Sequence, residues 1–157
     1  MSALRHNTTG QARFATQYDL HDLLALFEAS EVSETPRDFA RAIAIWAETL
    51  GRAGTFVFVA GLQGRVRSTC MLITAPNLLR NGQSHAFLEN VVTHPDFRDR
   101  GLGRAVVSAA LDHAWALDCH HVLMQSGRAD PRVHRFYESI GFEIGRASCR
   151  ERVSSVV

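Results

Sequence analysis

A short basic segment with two glycines has the composition of an anion-binding turn. It reads Arg98-Asp99-Arg100-Gly101-Leu102-Gly103-Arg104 and lies between a predicted strand and a predicted helix. The first turn of a helix exposes unpaired N–H groups and a partial positive charge, and glycine lets an anion approach the backbone closely. Arginine side chains can add charge-assisted hydrogen bonds. The segment therefore predicts a phosphate site, although glycines at a helix start can also serve packing alone.

Two neighbouring segments extend this pattern. The strand before the turn ends in Glu89-Asn90-Val91-Val92-Thr93, and Asp130-Pro131-Arg132-Val133-His134-Arg135-Phe136-Tyr137 follows after one helix and one strand. With Arg98 to Gly103, these segments resemble the two motifs of the GNAT superfamily of acetyl-CoA-dependent N-acetyltransferases. The resemblance covers roughly residues 13–143, with the first third matched by pattern only.

The resemblance implies how acetyl-CoA would be held as a co-substrate. Backbone N–H groups of the turn would bind its pyrophosphate, which involves Arg98, Arg100, Gly101, Leu102, Gly103 and Arg104. Val91 and Val92 would pair their backbone with the pantetheine arm, as if it were an added strand. Asp130 stands where many members have an asparagine that faces the cofactor.

Acetyl transfer to an amine needs proton transfer at two points. An alkyl amine of pKa about 10 must lose a proton before it attacks, and a leaving thiolate of pKa about 8.5 must gain one. A backbone N–H in the strand can stabilise the oxyanion that forms between these events. Tyr137 matches the tyrosine that commonly protonates the thiolate in this superfamily, and Glu89 is the candidate base, acting through a water.

These two assignments have plainer alternatives. Glu89 could be a solvated strand carboxylate, and Tyr137 could be a core residue beside Phe136. His134 lies one turn before Tyr137 and is a second candidate base.

Three further histidines, His113, His120 and His121, do not predict a metal site. His120 and His121 are neighbours on a predicted strand, so we expect them to face opposite sides of the sheet. His113 lies on a predicted helix and has no second ligand four residues on. Structural or solvated histidines are the prediction, and no metal is expected.

Hydrophobic periodicity predicts the elements that position these groups. Thr16 and Asp19 form a capping box before a first helix, and a second helix is predicted from Thr35 and Pro36 to Gly51. Its predicted buried stripe consists of Phe39, Ile43, Trp46 and Leu50. Strands are predicted at 13–15, 55–60, 65–74, 85–93 and 120–125, and later helices at 101–119 and 132–140. This order predicts an α/β fold with a mixed, mostly antiparallel central sheet and helices on both faces.

Length and composition fit one globular domain. The chain has 157 residues, of which 46% are hydrophobic and 21% charged, and its apolar stretches are of strand length. Such stretches are too short to cross a bilayer, and a net charge of +1 favours neither nucleic acid nor membrane as a partner. The cysteines Cys70, Cys119 and Cys149 are widely spaced, and the polar start lacks signal-peptide features. These features predict a cytoplasmic protein.

The two ends of the chain are predicted to lie outside the domain. Residues 1–12 are expected to form a flexible tail, and the domain is expected to span 13–143. Residues 144–157 lack strand alternation and resemble the translation of a sequencing adapter, which predicts a non-native tail. The last strand is then expected to be missing or replaced, which would leave a sheet edge exposed.

The sequence favours an enzyme that transfers the acetyl group of acetyl-CoA to a primary amine of a small molecule, by direct attack in a ternary complex. The alternative is a non-catalytic acetyl-CoA-binding sensor or regulatory module of the same fold. The presence of both Glu89 and Tyr137 favours the enzyme. The first two helices and the loop at 75–83 are expected to select the acceptor, and a homodimer is a candidate assembly by resemblance.

Overall fold

The computed structural model describes residues 10–126, 130–144 and 154–156. Its strands and helices are β1 (Ala12–Phe14), α1 (Leu20–Ser30), α2 (Phe39–Gly51), β2 (Thr55–Leu62), β3 (Arg65–Ala75), β4 (His85–Thr93), α3 (Leu102–Ala116), β5 (His121–Met124), α4 (Pro131–Glu138), β6 (Phe142–Ile144) and β7 (Ser154–Val156). Single 3₁₀ turns occur at Gln17–Asp19, Arg80–Gly82 and Pro95–Phe97. Within the described ranges, no helix is both long enough and apolar enough to span a membrane.

The strands form one mixed sheet. Among the described residues its order is β1-β2-β3-β4-β5-β7-β6. The pairings from β1 to β4 are antiparallel, and β2–β3 and β3–β4 form the longest ladders, whereas β4–β5, β5–β7 and β6–β7 are parallel. The predicted fold class is confirmed.

The C-terminal segment contributes to this sheet. Its residues Ser154–Val156 form β7, which lies between β5 and β6. The last strand was expected to be missing or replaced, and a three-residue strand from the predicted tail occupies its position. Residues 145–153 and 157 lie outside the described residues, and the non-native origin of the tail stays a prediction.

Helices cover both faces of the sheet. Phe58 and Ala60 of β2 pack in one apolar cluster with Val106 of α3. Val59, between them in sequence, packs with Leu23 of α1 in a second cluster. Because successive strand residues point to opposite faces, α3 and α1 must lie on opposite sides of β2. Helices on both faces are thereby confirmed.

The capping box before α1 forms as predicted and also connects α1 to β1. The backbone N–H of Thr16 donates to Asp19 Oδ2 at 2.7 Å, and the Asp19 carboxylate accepts two bonds from the Arg13 guanidinium at 2.7 and 2.8 Å. Burial by itself raises the pKa of Asp19, but the hydrogen bonds from Arg13 and Thr16 outweigh burial and lower it.

The second helix begins later than predicted. α2 starts at Phe39, and the Asp38 carboxylate accepts a hydrogen bond from the backbone N–H of Ala40 at 3.0 Å. Asp38, not Thr35, is therefore the N-cap. Both residue types cap helices well, so the sequence alone does not choose between them.

The predicted buried stripe of α2 is wrong in part. Phe39 is 42% exposed and Ile43 is 48% exposed, whereas Ala42 is buried. Trp46 Nε1 donates to the carbonyl oxygen of Thr16 at 3.2 Å, a contact that fixes how the helix is rotated. Spacing alone defines a stripe, but packing decides which stripe faces the sheet.

Candidate active site

β4 contains a bulge at the predicted site. Asn90 has a φ of 50°, in the left-handed region that asparagine tolerates better than most residues. In the pairing with β3, Met71 lies opposite Glu89 and Thr69 lies opposite Val92. Two steps along β3 therefore correspond to three steps along β4. A bulge of this kind bends the strand and leaves the extra residue unpaired. The strand therefore changes direction between Glu89 and Val92.

Beyond the bulge, β4 and β5 separate. Within the described residues, their ladder runs from His85 opposite His121 to Leu88 opposite Met124 and ends there. Residues Glu89–Thr93 on one side and Gln125 and Ser126 on the other then line a cavity of about 920 Å³. An open strand edge presents N–H and C=O groups that an extended ligand can pair with. Val91 and Val92 lie on this edge, and their pairing with a ligand stays a prediction.

The amino end of α3 lines the same cavity. Gly101 is its N-cap with a φ of 77°, and an added Cβ there would meet nothing within 4 Å. Arg98, Leu102, Gly103 and Arg104 also line the cavity. The first turn of this 15-residue helix carries unpaired N–H groups and a partial positive charge. The open space beside Gly101 suits an anionic group such as a pyrophosphate.

Gly103 has a different function from Gly101. An added Cβ at Gly103 would lie 3.1 Å from Thr93 Oγ1 and 3.3 Å from Phe136 Cζ. Its missing side chain therefore allows α3 to pack closely against β4 and α4. The alternative interpretation of the two glycines, packing at a helix start, therefore applies to Gly103.

The arginines of the turn differ in what their side chains contact. The Arg100 guanidinium lies 5.2 Å from the centre of the Phe97 ring, and Arg100 is absent from the described cavity lining. Arg104 donates to Ser139 Oγ at 2.7 Å and so links α3 to the end of α4. The turn residues that do line the cavity are Arg98, Asp99, Gly101, Leu102, Gly103 and Arg104.

Tyr137 belongs both to the core and to the cavity wall. It is 6% exposed, and its ring centre lies 5.0 Å from that of Phe136 and 5.5 Å from that of Phe142. Tyr137 also lines the large cavity, as does Glu89. The fold thus brings both predicted catalytic residues to one cavity. Their chemical roles stay predictions.

The start of α4 engages Asp130. Its carboxylate accepts a hydrogen bond from the backbone N–H of Arg132 at 2.9 Å and pairs with the Arg132 guanidinium at 2.9 Å. The side-chain hydrogen bond from Arg132, with its backbone bond and charge, lowers the pKa of Asp130. Asp130 lines the cavity as N-cap of α4, a structural role that the sequence did not assign to it. His134, the second candidate base, is not part of the described lining.

The histidines cluster more than the sequence indicated. His85 Nδ1 lies 3.0 Å from His121 Nε2, and the rings of His120 and His121 are 5.2 Å apart. The expectation that His120 and His121 face opposite sides is wrong, because β5 begins at His121 and strand alternation does not extend to His120. Burial, and next the nearby His85, lower the pKa of His121. In the part of the chain that is described, no group of three or more His, Cys, Asp or Glu is arranged to hold a metal.

A second, smaller cavity adjoins the first. It has a volume of about 240 Å³ and lies between α1, α2 and the sheet. Four residues line both cavities, namely Phe27, Thr35, Pro36 and Asn90. No residue of the loop at 75–83 lines either one. Sequence reasoning did not single out Asn90, although an asparagine inside a β-branched strand is a signal for a bulge.

An open strand edge, a helix amino end and a buried tyrosine on one cavity define an α/β protein suited to an extended, anionic ligand. The acetyltransferase (GNAT) family matches this chain over residues 19–142. The chain belongs to this family, whose members use acetyl-CoA as co-substrate.

Individual relatives agree with the family assignment. A protein from Trypanosoma brucei brucei, named glucosamine 6-phosphate N-acetyltransferase, is 28% identical over 134 residues, or 84% of this chain and 88% of that protein. A structure from Agrobacterium tumefaciens strain C58, provisionally named an acetyltransferase, is 38% identical with a TM-score of 0.81, over 90% of this chain and 98% of the other. A structure of a Trypanosoma brucei acetyltransferase is 26% identical with a TM-score of 0.74, over 90% and 97% of the two chains.

Proposed function

We propose that this protein transfers the acetyl group of acetyl-CoA to a primary amine of a small molecule, within a ternary complex. One observation carries the proposal: the amino end of α3, the open edge of β4, Glu89 and Tyr137 all line one cavity of about 920 Å³. The family assignment supports acetyl-CoA as the co-substrate. When bound, acetyl-CoA supplies an acetyl thioester to this cavity.

The chain would hold acetyl-CoA through backbone groups at two places. N–H groups from Arg100 to Arg104 would bind the pyrophosphate, with the exposed Arg98 side chain beside them. The backbone of Val91 and Val92 would pair with the pantetheine arm along the open edge of β4. Asp130 would contact the cofactor while it caps α4.

Two side chains would move the protons. Glu89 takes a proton from the ammonium of the acceptor through a water, which leaves a nitrogen lone pair free to attack. The nitrogen attacks the thioester carbonyl carbon to form the C–N bond, and a backbone N–H of β4 would stabilise the oxyanion of the resulting adduct. The adduct nitrogen then loses its second proton to solvent, and the C–S bond breaks as the carbonyl re-forms. Tyr137 donates its hydroxyl proton to the departing sulfur and regains one from solvent.

The relatives support a small amine as acceptor. The Trypanosoma brucei brucei relative carries the name of an enzyme that acts on glucosamine 6-phosphate, and it covers 84% of this chain. At 28% identity, its name supports the class of acceptor and not one compound. Cys70 and Cys119 are both free, which agrees with a reducing cytoplasm as the place of the reaction.

The direct test is acetyl-CoA-dependent acetylation of a panel of primary amines, followed by CoA release and product mass. In Glu89→Gln, which keeps the shape of the side chain, kcat/KM should fall by about 10²- to 10⁴-fold. His134→Gln is the matched control and should stay close to wild type. If kcat/KM falls in His134→Gln and stays near wild type in Glu89→Gln, His134 is the base.

Two other outcomes bear on the proposal itself. Saturable acetyl-CoA binding without turnover of any amine would favour the non-catalytic binding module. Failure of the folded protein to bind acetyl-CoA would overturn the proposal.

A further inference from the structure

The smaller cavity is apolar and offers no charged side chain. Its lining includes no Lys, Arg, His, Asp or Glu of the described residues. Most of its lining residues are apolar, and the two helices provide these: Leu20, Leu23, Leu24, Phe27, Ala42, Ile45 and Trp46. A ligand inside this cavity would lose water without gaining an ion pair.

Three polar side chains that line this cavity already donate to the protein backbone. Thr49 Oγ1 donates to the carbonyl oxygen of Ile45 at 2.8 Å, and Thr69 Oγ1 donates to that of Phe58 at 2.9 Å. The indole N–H of Trp46 donates to the carbonyl oxygen of Thr16 at 3.2 Å. These donors are therefore committed to the fold. Ligand hydroxyls placed here would lose their hydrogen bonds to water without any of these donors to replace them.

Polar character returns where the two cavities meet. Thr35 and Asn90 are the polar residues that line both, and Glu89 lines the larger cavity next to Asn90. An acceptor with its body in the smaller cavity would thus place its polar end at the cleft. Glu89, the proposed base, lies on that side.

We infer that the smaller cavity binds the body of the acceptor, and that the acceptor is a primary amine on an apolar frame. This inference rests on the proposed acetyltransferase function. Arginine and lysine side chains give a phosphate its strongest hydrogen bonds, and the described lining of this cavity has neither.

The volume restricts the size of this frame. A protein cavity of about 150 Å³ holds a benzene molecule. The volume here is about 240 Å³, which leaves room for one ring and a short chain. The probe that matches this shape is 2-phenylethylamine, and glucosamine 6-phosphate is the contrasting polar probe.

Two isoleucines of α2 provide a matched pair of variants. Ile45 is 45% exposed and lines the smaller cavity, whereas Ile43 is 48% exposed and lines neither cavity. Ile45→Lys places a cation at the cavity wall, and Ile43→Lys places the same charge on the same helix outside it. Acetylation of both probes would be measured with each protein, and 2-phenylethylamine binding by calorimetry.

Wild type should prefer 2-phenylethylamine over glucosamine 6-phosphate in kcat/KM. Ile45→Lys should lower kcat/KM for 2-phenylethylamine by at least about tenfold, while Ile43→Lys stays near wild type. A preference for glucosamine 6-phosphate, or equal effects of the two variants, would overturn this inference and leave the acetyltransferase function standing. If no amine is acetylated, the proposed function fails, but calorimetry still tests the apolar site. Saturable binding of 2-phenylethylamine that Ile45→Lys alone weakens would support the site, and absence of binding to wild type would refute it.

Discussion

Replacing Tyr137 by phenylalanine separates the two functions that the structure gives this residue. The ring packs against Phe136 and Phe142 at centroid distances of 5.0 and 5.5 Å and is 6% exposed. Tyr137→Phe keeps this packing and removes only the hydroxyl. Tyr137→Ala removes both, and serves as the control for packing.

The two readouts should differ widely in size. Loss of one net hydrogen bond costs about 1 kcal/mol of unfolding free energy, so Tyr137→Phe should unfold only slightly more easily than wild type. Truncation to alanine in the core should cost roughly 3–5 kcal/mol. If the hydroxyl protonates the leaving thiolate, kcat of Tyr137→Phe should fall by about 10²- to 10⁴-fold.

The assay combines steady-state kinetics with urea denaturation. The acceptor would be the amine with the highest turnover in the panel, and KM for acetyl-CoA would be measured alongside kcat. The expected pattern for Tyr137→Phe is a large fall in kcat, little change in KM and near-native stability. Such a pattern cannot come from loosened packing, because packing is retained.

The opposite pattern would refute the reasoning. If Tyr137→Phe turns over at nearly the wild-type rate, Tyr137 is a core residue that happens to line the cavity, and another group protonates the thiolate. If kcat falls only in Tyr137→Ala, together with stability, the same conclusion holds.

Two further predictions concern pH and backbone conformation. Burial lowers the pKa of His113 below its ordinary value of 6.5. As the pH falls below this value, His113 gains a proton in the unfolded protein more readily than in the native protein. The free energy of unfolding should therefore decrease as the pH falls. The free energy of unfolding of His113→Phe, measured by urea denaturation, should therefore change less than that of wild type between about pH 7.5 and about pH 5.5. An equal change in both proteins would contradict a lowered pKa at His113. Gly101→Ala and Gly64→Ala each place a Cβ in empty space at a φ of 77° and 75°, so each should lose about 1 kcal/mol of stability. Calorimetry should show weaker acetyl-CoA binding in Gly101→Ala alone, and equal affinity in both variants would argue against the α3 turn as the pyrophosphate site.

Much of the site could be predicted from local sequence signals. The bounds of β4, 85–93, agree with the structure, and the capping box of Thr16 and Asp19 forms as predicted. The glycine-containing turn does lead into a long helix at Leu102. These features depend on residues within about four positions of each other, so sequence spacing contains the information they need.

Features that depend on distant contacts could not be predicted in this way. The rotation of α2, which exposes Ile43 and buries Ala42, follows from packing against residues about 30 positions away, such as the Trp46–Thr16 contact. His85 Nδ1 and His121 Nε2 lie 3.0 Å apart, although the two residues are 36 positions apart in sequence. Each of these outcomes is set by neighbours in space, which periodicity does not specify.

The sequence by itself determined the class of fold, the family and the strand–turn–helix that can hold a phosphate. The tertiary structure alone decided where β4 and β5 separate, beyond Leu88, and that an apolar cavity between α1 and α2 meets the resulting cleft. The physical reason is the range of the forces involved. Caps and glycines act through the local backbone, whereas a cavity exists only where segments far apart in sequence pack without filling the space between them.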